Sequence, residues 1–286
     1  AIEIIYRMGF QEEEFVIRFI TAHHADGLTE VAVSGGRLIL PVRACYAGDR
    51  SEKEAGQAKG TVKGHRVGVE GHAHYPELEV AFVYYSDDDG TTWRRAVNHV
   101  IGWPHDGRRG AYAVDEPTVA RAGDGRILML ARSTLGRVIE SWSDDDGGTW
   151  SCRSELTSPA GNMGDEVALM ETEANTILCI LRDRERADTF RLWSRDGGFT
   201  WSNRESIRTM LDCVLQRPFL TRLDETSYLL SGRDYVRKRV VAYLSVDRGQ
   251  TFNHLIELDS FQKDGGYTTT LALDFGDCLI AWYSDS

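Results

Sequence analysis

The sequence predicts an all-β fold: a β-propeller of four-stranded blades, forming a single domain over residues 1–286. Three observations carry this expectation. Short apolar runs bounded by Gly, Asp, Asn and Ser recur along the chain, and no helix-type period stands out. An octapeptide of the form S-x-D-x-G-x-T-aromatic occurs four times: SDDDGTTW at 86–93, SDDDGGTW at 143–150, SRDGGFTW at 194–201 and SVDRGQTF at 245–252. Their starts lie 57, 51 and 51 residues apart, and periods of about 50 with several strands per unit mark a propeller or a similar array.

Each unit reads as inner strand, short turn, second strand, third strand, octapeptide and outer strand. EPTVARAGDGRILMLARS at 116–133, followed by GRVIESW and the second octapeptide, shows the order. The octapeptide is structural punctuation. Its central aspartate accepts hydrogen bonds from backbone N–H groups, its glycine supplies a backbone shape that other residues resist, and its aromatic pins the turn to the sheet. A calcium loop of the EF-hand type needs a longer ligand series ending in Glu, which is absent. At the chain ends, strands at 268–273 and 278–283 lack an outer pair, while strands at about 2–6 and 14–20 lack an inner pair. Joined, they make one closing blade shared by both termini, so five blades are countable. The run 47–77 is an insertion between second and third strands, expected as a loop over the polar, active face.

The composition narrows the partners. Net charge is -11, which argues against nucleic acid and an anionic membrane surface. No apolar run approaches the roughly 18 residues of a membrane helix, and AIEIIYRMGF at the start lacks the features of a signal peptide. The five cysteines show no CxxC spacing, and Cys179 and Cys278 sit inside apolar runs. They read as free thiols, which leans toward a cytoplasmic setting. The sequence carries no signal for an oligomeric state.

Aligning the units on the turn residues Gly36, Gly125, Asn175, Thr226 and Gly276 produces polar columns. Seven positions later stand Arg43, Arg132, Arg182, Arg233 and Tyr283. Nine positions before stand Gly27, Glu116, Glu166, Arg217 and Tyr267, and one position earlier Asp26, Asp115, Asp165, Gln216 and Gly266. In an up-and-down blade, the start of strand one and the end of strand two share a face, and the octapeptides lie on the opposite one. These columns therefore converge on one end of the central channel. Two readings stay open: the arginines pair with the acids and hold blades together, or they form a pocket for an anionic ligand.

The octapeptides are Asp boxes, and through them the chain resembles the sialidase (neuraminidase) superfamily of BNR-repeat proteins over nearly its whole length. The resemblance implies a sialidase-like β-propeller with six blades expected, and an exo-acting glycoside hydrolase on an acidic sugar such as sialic acid. In that family three arginines hold the substrate carboxylate, a tyrosine paired with a glutamate is the nucleophile, and an aspartate is the acid/base catalyst. Carried over residue by residue, Tyr267 in DGGYTTT matches the nucleophile, with Glu116 or Glu166 polarising it and Asp26 or Asp49 as the acid. Arg182, Arg217 and Arg233 match carboxylate-binding arginines. Arg43, Arg132, Asp115 and Asp165 complete the substrate-binding candidates. Where the family places an Arg-Ile-Pro motif, this sequence reads TAHHADGLTEV at 21–31. His23, His24, His72 and His74 raise a second chemistry, a His/Tyr polysaccharide lyase on uronate-containing glycans. A non-catalytic glycan-binding propeller is a third reading. His72-Ala73-His74 has no accompanying ligand set of diagnostic spacing, so no metal or other cofactor is expected.

Overall fold

The computed structural model describes residues 36–45, 58–62, 65–69, 79–96, 114–133, 138–153, 164–183, 185–263, 265–273 and 277–284. Five propeller sheets follow one another. The first joins β1 (Leu38–Cys45), β4 (Glu79–Ser86) and β5 (Arg94–Arg95). Between β1 and β4 the chain forms a separate hairpin of β2 (Ala58–Val62) and β3 (His65–Val69). The insertion expected as a plain loop thus contains paired strands. Thr61, Val62, Val67 and Val69 are β-branched, which suits them to a ladder.

The next three sheets are complete four-stranded meanders. They comprise β6 (Val114–Arg121), β7 (Ile127–Ser133), β8 (Val138–Ser143) and β9 (Ser151–Arg153); β10 (Gly164–Glu173), β11 (Thr176–Asp183), β12 (Thr189–Ser194) and β13 (Glu205–Ser206); and β14 (Leu215–Arg222), β15 (Tyr228–Asp234), β16 (Arg239–Ser245) and β17 (His254–Ser260). The last sheet pairs β18 (Gly265–Ala272) with β19 (Cys278–Ser284). The strands at 2–6 and 14–20 expected beside it lie outside the described residues. One helical turn, α1 (Arg208–Leu211), interrupts the pattern. Among the described residues, no helix is long and apolar enough to cross a membrane.

The second strands β7 and β11 are buried on both faces, and their side chains alternate between two cores. In β7, Ile127, Met129 and Ala131 enter the core shared with the first sheet, while Leu128 and Leu130 enter the core shared with the third. In β11, Ile177, Cys179 and Leu181 face backward, and Leu178 and Ile180 face forward. This is the period-two geometry of a strand covered on both sides. Each fully buried Leu or Ile contributes about 1.5–3 kcal/mol. Cys179 and Cys213 are buried free thiols, and Cys278 is half-buried.

All four octapeptides fold into the same turn. The serine donates to the aspartate Oδ1 at 2.8 Å in each case, from Ser86, Ser143, Ser194 and Ser245 to Asp88, Asp145, Asp196 and Asp247. In the second turn, Thr149 donates its backbone N–H and its hydroxyl to Asp145 at 2.8 and 2.7 Å, and Gly147 N–H donates to Ser143 Oγ at 2.8 Å. Trp150 Nε1 closes the turn on the Gly147 carbonyl at 3.0 Å.

The turn also fastens blade to blade. Gly147, Gly198 and Gly249 adopt left-handed conformations, with φ of 85°, 98° and 77°. A Cβ there would lie 2.9 Å from Ile39, 2.8 Å from Leu128 and 2.8 Å from Leu178, each on the second strand of the preceding sheet. Trp150, Trp201 and Phe252 are buried in the same inter-sheet cores. The first turn differs: Gly90 meets Leu38 of its own sheet.

Burial pushes the Asp145 carboxyl up, but hydrogen bonds from Thr149 and Ser143 outweigh it and hold the group below its ordinary 3.8. Asp196 and Asp247 show the same balance. Because the folded value lies below the unfolded one, these groups contribute stability above pH 3.8 that is lost as pH falls through the lowered value. Asp145→Ala is therefore expected to cost about 1–3 kcal/mol in chemical denaturation at neutral pH. Its acid-unfolding limb should be shallower than that of the wild type, and ligand binding on the opposite face should be unchanged.

Candidate functional site

At the end of the sheets opposite these turns, the start of each of the four described inner strands is distorted in the same column. Pairing with the second strand breaks register between Asp115 and Thr118, Gly164 and Val167, Gln216 and Phe219, and Gly265 and Thr268. Such bulges bend a strand and re-aim its side chains. Glu116 and Arg217, each followed by proline, adopt φ of 51° and 53°. Positive φ in a residue with a Cβ costs of order 1–3 kcal/mol and clusters at functional sites.

The re-aimed side chains form a closed circuit of ion pairs. Arg132 Nε contacts Glu116 Oε2 at 3.0 Å, and its Nη1 contacts Asp165 Oδ1 at 3.3 Å. Arg182 Nη2 meets Asp165 Oδ2 at 2.5 Å, and its Nε meets Glu166 Oε2 at 2.8 Å. Arg217 Nε meets Glu166 Oε1 at 2.9 Å, and its Nη1 returns to Glu116 Oε1. The Arg217 backbone N–H adds a bond to Glu166 Oε2 at 2.8 Å. Three guanidiniums and three carboxylates alternate across three blades, so the circuit is neutral. The Arg182 side chain is only 1% exposed. Burial pushes the Glu166 carboxyl up, opposed by the Arg182 and Arg132 charges and the Arg217 N–H.

Behind the circuit runs a narrow axial cavity of about 40 Å³, lined by Glu116, Glu166 and Arg217 and by the inner-strand residues Thr118, Ala168 and Thr268. It has room for a few waters and not for a sugar ring.

Beside the circuit lies a more aromatic zone. The Arg217 guanidinium stands 4.4 Å from the Tyr267 ring centroid, and that of Arg233 stands 5.1 Å from it. Tyr283 packs on Tyr267 with centroids 5.4 Å apart. Arg233 Nη1 donates to the Gly265 carbonyl at 3.0 Å. Its cross-strand partner is the neutral Gln216, whereas Arg132 stands opposite Asp115.

Most of the sequence-derived site is thus brought together: Tyr267, Glu116, Glu166, Asp165, Arg132, Arg182, Arg217 and Arg233. Arg43 lies in β1 opposite Ala81, and Asp115 lies in β6. Asp26, Asp49 and the four histidines fall outside the described residues. Of the two readings of the arginines, pairing with acids describes Arg132, Arg182 and Arg217. Asp183, next to Arg182 in the chain, accepts from the Ala187 N–H within its own turn at 3.3 Å. Sequence reasoning missed Tyr235 and Lys238, although the basic run Arg237-Lys238-Arg239 beside a strand end was a visible signal. No group of three or more His, Cys, Asp or Glu that could hold a metal occurs among the described residues.

Comparison with known proteins agrees with this architecture. Residues 29–164 match the model of the BNR repeat-like domain. No curated protein matches the chain. A protein of unknown function from Dyadobacter fermentans superposes with a TM-score of 0.58 at 18% identity, covering 87% of this chain and 69% of that one. The intramolecular trans-sialidase of Ruminococcus gnavus, solved with oseltamivir carboxylate, gives 0.52 at 16% identity, over 79% of this chain and 53% of its own. An exo-β-1,3-galactanase from Phanerochaete chrysosporium gives 0.54 at 10% identity, over 81% and 50%. The chain spans about half the length of these two enzymes, and at such identities the likeness is one of fold. With its repeated blades and its turns, the chain carries a BNR repeat-like domain over residues 29–164 and is similar in fold to sialidases.

Proposed function

We propose that the protein is a glycosidase of the sialidase kind, exo-acting on an acidic sugar such as sialic acid. The observation that carries this reading is the placing of Tyr267 between the guanidiniums of Arg217 and Arg233 at the axial end of the sheets. A phenol is a suitable nucleophile for an anionic sugar, since it approaches without the repulsion that a carboxylate meets. In this reading Tyr267 Oη passes its proton to the Glu116 or Glu166 carboxylate and bonds to the anomeric carbon as the glycosidic C–O bond breaks, water then cleaves the tyrosyl bond, and Arg233 offers a planar pair of donors to the sugar carboxylate.

Glu116 and Glu166 both grip Arg217, whose guanidinium lies on the Tyr267 ring. Through that arginine they also position the tyrosine that one of them polarises. Arg132, Arg182 and Asp165 complete the frame. The proton for the leaving group is assigned to Asp26 or Asp49, outside the described residues, and the insertion at 47–77 is assigned to the rim of this face. A second reading, glycan binding without turnover, is favoured by one observation: three of the arginines are already engaged by carboxylates.

Turnover of a fluorogenic sialoside beside a panel of uronides separates the two. Tyr267→Phe is expected to abolish hydrolysis and leave sugar affinity nearly intact; a variant that still turns over sinks the nucleophile assignment. Arg233→Lys keeps the charge and loses the planar fork, so affinity should fall about tenfold with little change in Tm. Arg182→Met should behave otherwise. It strands buried acids in the circuit and is expected to cost about 3–5 kcal/mol in denaturant melts.

A further inference from the structure

The turn between β15 and β16 extends the aromatic zone outward. Asp234, 1% exposed, organises it: the carboxylate accepts from the Arg237 N–H at 3.1 Å, from Arg237 Nη1 at 3.0 Å and from Arg239 Nη2 at 2.9 Å. Arg237 also reaches Asp212 at 2.9 Å, and Arg239 reaches Glu257 at 3.0 Å. Both arginines of the basic run are therefore committed to acids. Lys238, between them, is not: its ammonium makes no ion pair with the described residues. Its backbone is fixed, with φ of 57° and its carbonyl accepting the Phe261 N–H at 3.0 Å. That geometry sets Lys238 Nζ 3.5 Å from the Tyr235 ring centroid and 5.3 Å from that of Phe261.

Tyr235 in turn lies 5.2 Å from Arg233, the arginine beside Tyr267. Lys238, Tyr235, Arg233, Tyr267 and Arg217 thus form one row of alternating cations and rings, running from the rim to the axial circuit. The rings hold these cations in place, and a half-buried ammonium with no carboxylate beside it selects anions. A cationic strip of this kind runs against the chain's net charge of -11.

We propose that this row is a second subsite for a carboxylated sugar. The unit next to the one held at Arg233 sets its carboxylate against Lys238, whose ammonium already covers the Tyr235 face and is held there by it. The preferred ligand is then an oligosaccharide with acidic sugars on adjacent units. This rests on the reading above, in which an acidic sugar sits at Arg233.

Calorimetry on the full chain at low ionic strength tests it, using sialic acid and galacturonic acid beside disialic acid and digalacturonic acid. The wild type should bind at least one dimer more tightly than its monomer. Lys238→Met should weaken that dimer about fivefold while leaving the monomer and the Tm unchanged, and added salt should shrink the difference. Lys238→Arg should restore the dimer preference. Equal affinity for monomer and dimer, or a dimer preference indifferent to Lys238, overturns the subsite and leaves the Arg233 site standing. Absence of binding by every one of these acids overturns both.

Discussion

The middle sheets of this protein cannot stand alone, because strands such as β7 and β11 are apolar on both faces. β11 and β15 are buried along nearly their whole lengths, and the alternate side chains of β11 belong to two different cores. A blade acquires its stability only by having neighbours, as in other stacked-repeat folds. The octapeptide turns, the inter-sheet aromatics and the axial ion pairs are three ways of meeting that requirement at different radii. The turns fasten the blades at one face, the aromatics fill the gap between them, and the charges tie the inner strands at the other face.

The axial circuit is a costly way to tie strands together. Taking a guanidinium or a carboxylate out of water costs several kcal/mol, and recovery depends on geometry and on satisfying every lone pair. Closure helps here. Each of the three acids touches two of the three arginines, so no charge in the ring depends on one contact. A hydrophobic plug would serve stability as well. Glu116 and Arg217 add backbone strain to that cost, with φ of 51° and 53°.

Much of this was legible in the sequence, and for identifiable reasons. The S-x-D-x-G-x-T repeat is local chemistry, complete within eight residues, so its spacing exposes the blade period directly. The polar columns were also visible, since Arg132, Arg182 and Arg233 hold the same offset from their turns. Which acid meets which arginine was not visible. That pairing depends on bulges that re-aim Glu116 and Arg217 across blade boundaries, a non-local geometry that no single repeat records. The row through Tyr235 and Lys238 was hidden for a related reason: it exists because Asp234 folds the turn back on itself, and in sequence it reads as a basic loop. The hairpin inside 47–77 was missed because its short strands sit among Gly and Lys, whose abundance reads as loop.

The docking of each turn glycine on the sheet before it has a consequence for synthesis. Gly147, Gly198 and Gly249 close against Ile39, Leu128 and Leu178, all of which precede them in the chain. A blade leaving the ribosome therefore finds its receiving surface already made, and each addition covers the apolar face left open by the last. The repeat can be assembled vectorially, from the N-terminal side, with one sheet face exposed at a time. Reversing the polarity of that contact would leave every nascent blade waiting for a partner not yet translated, with its β-edges open to other chains in the interval.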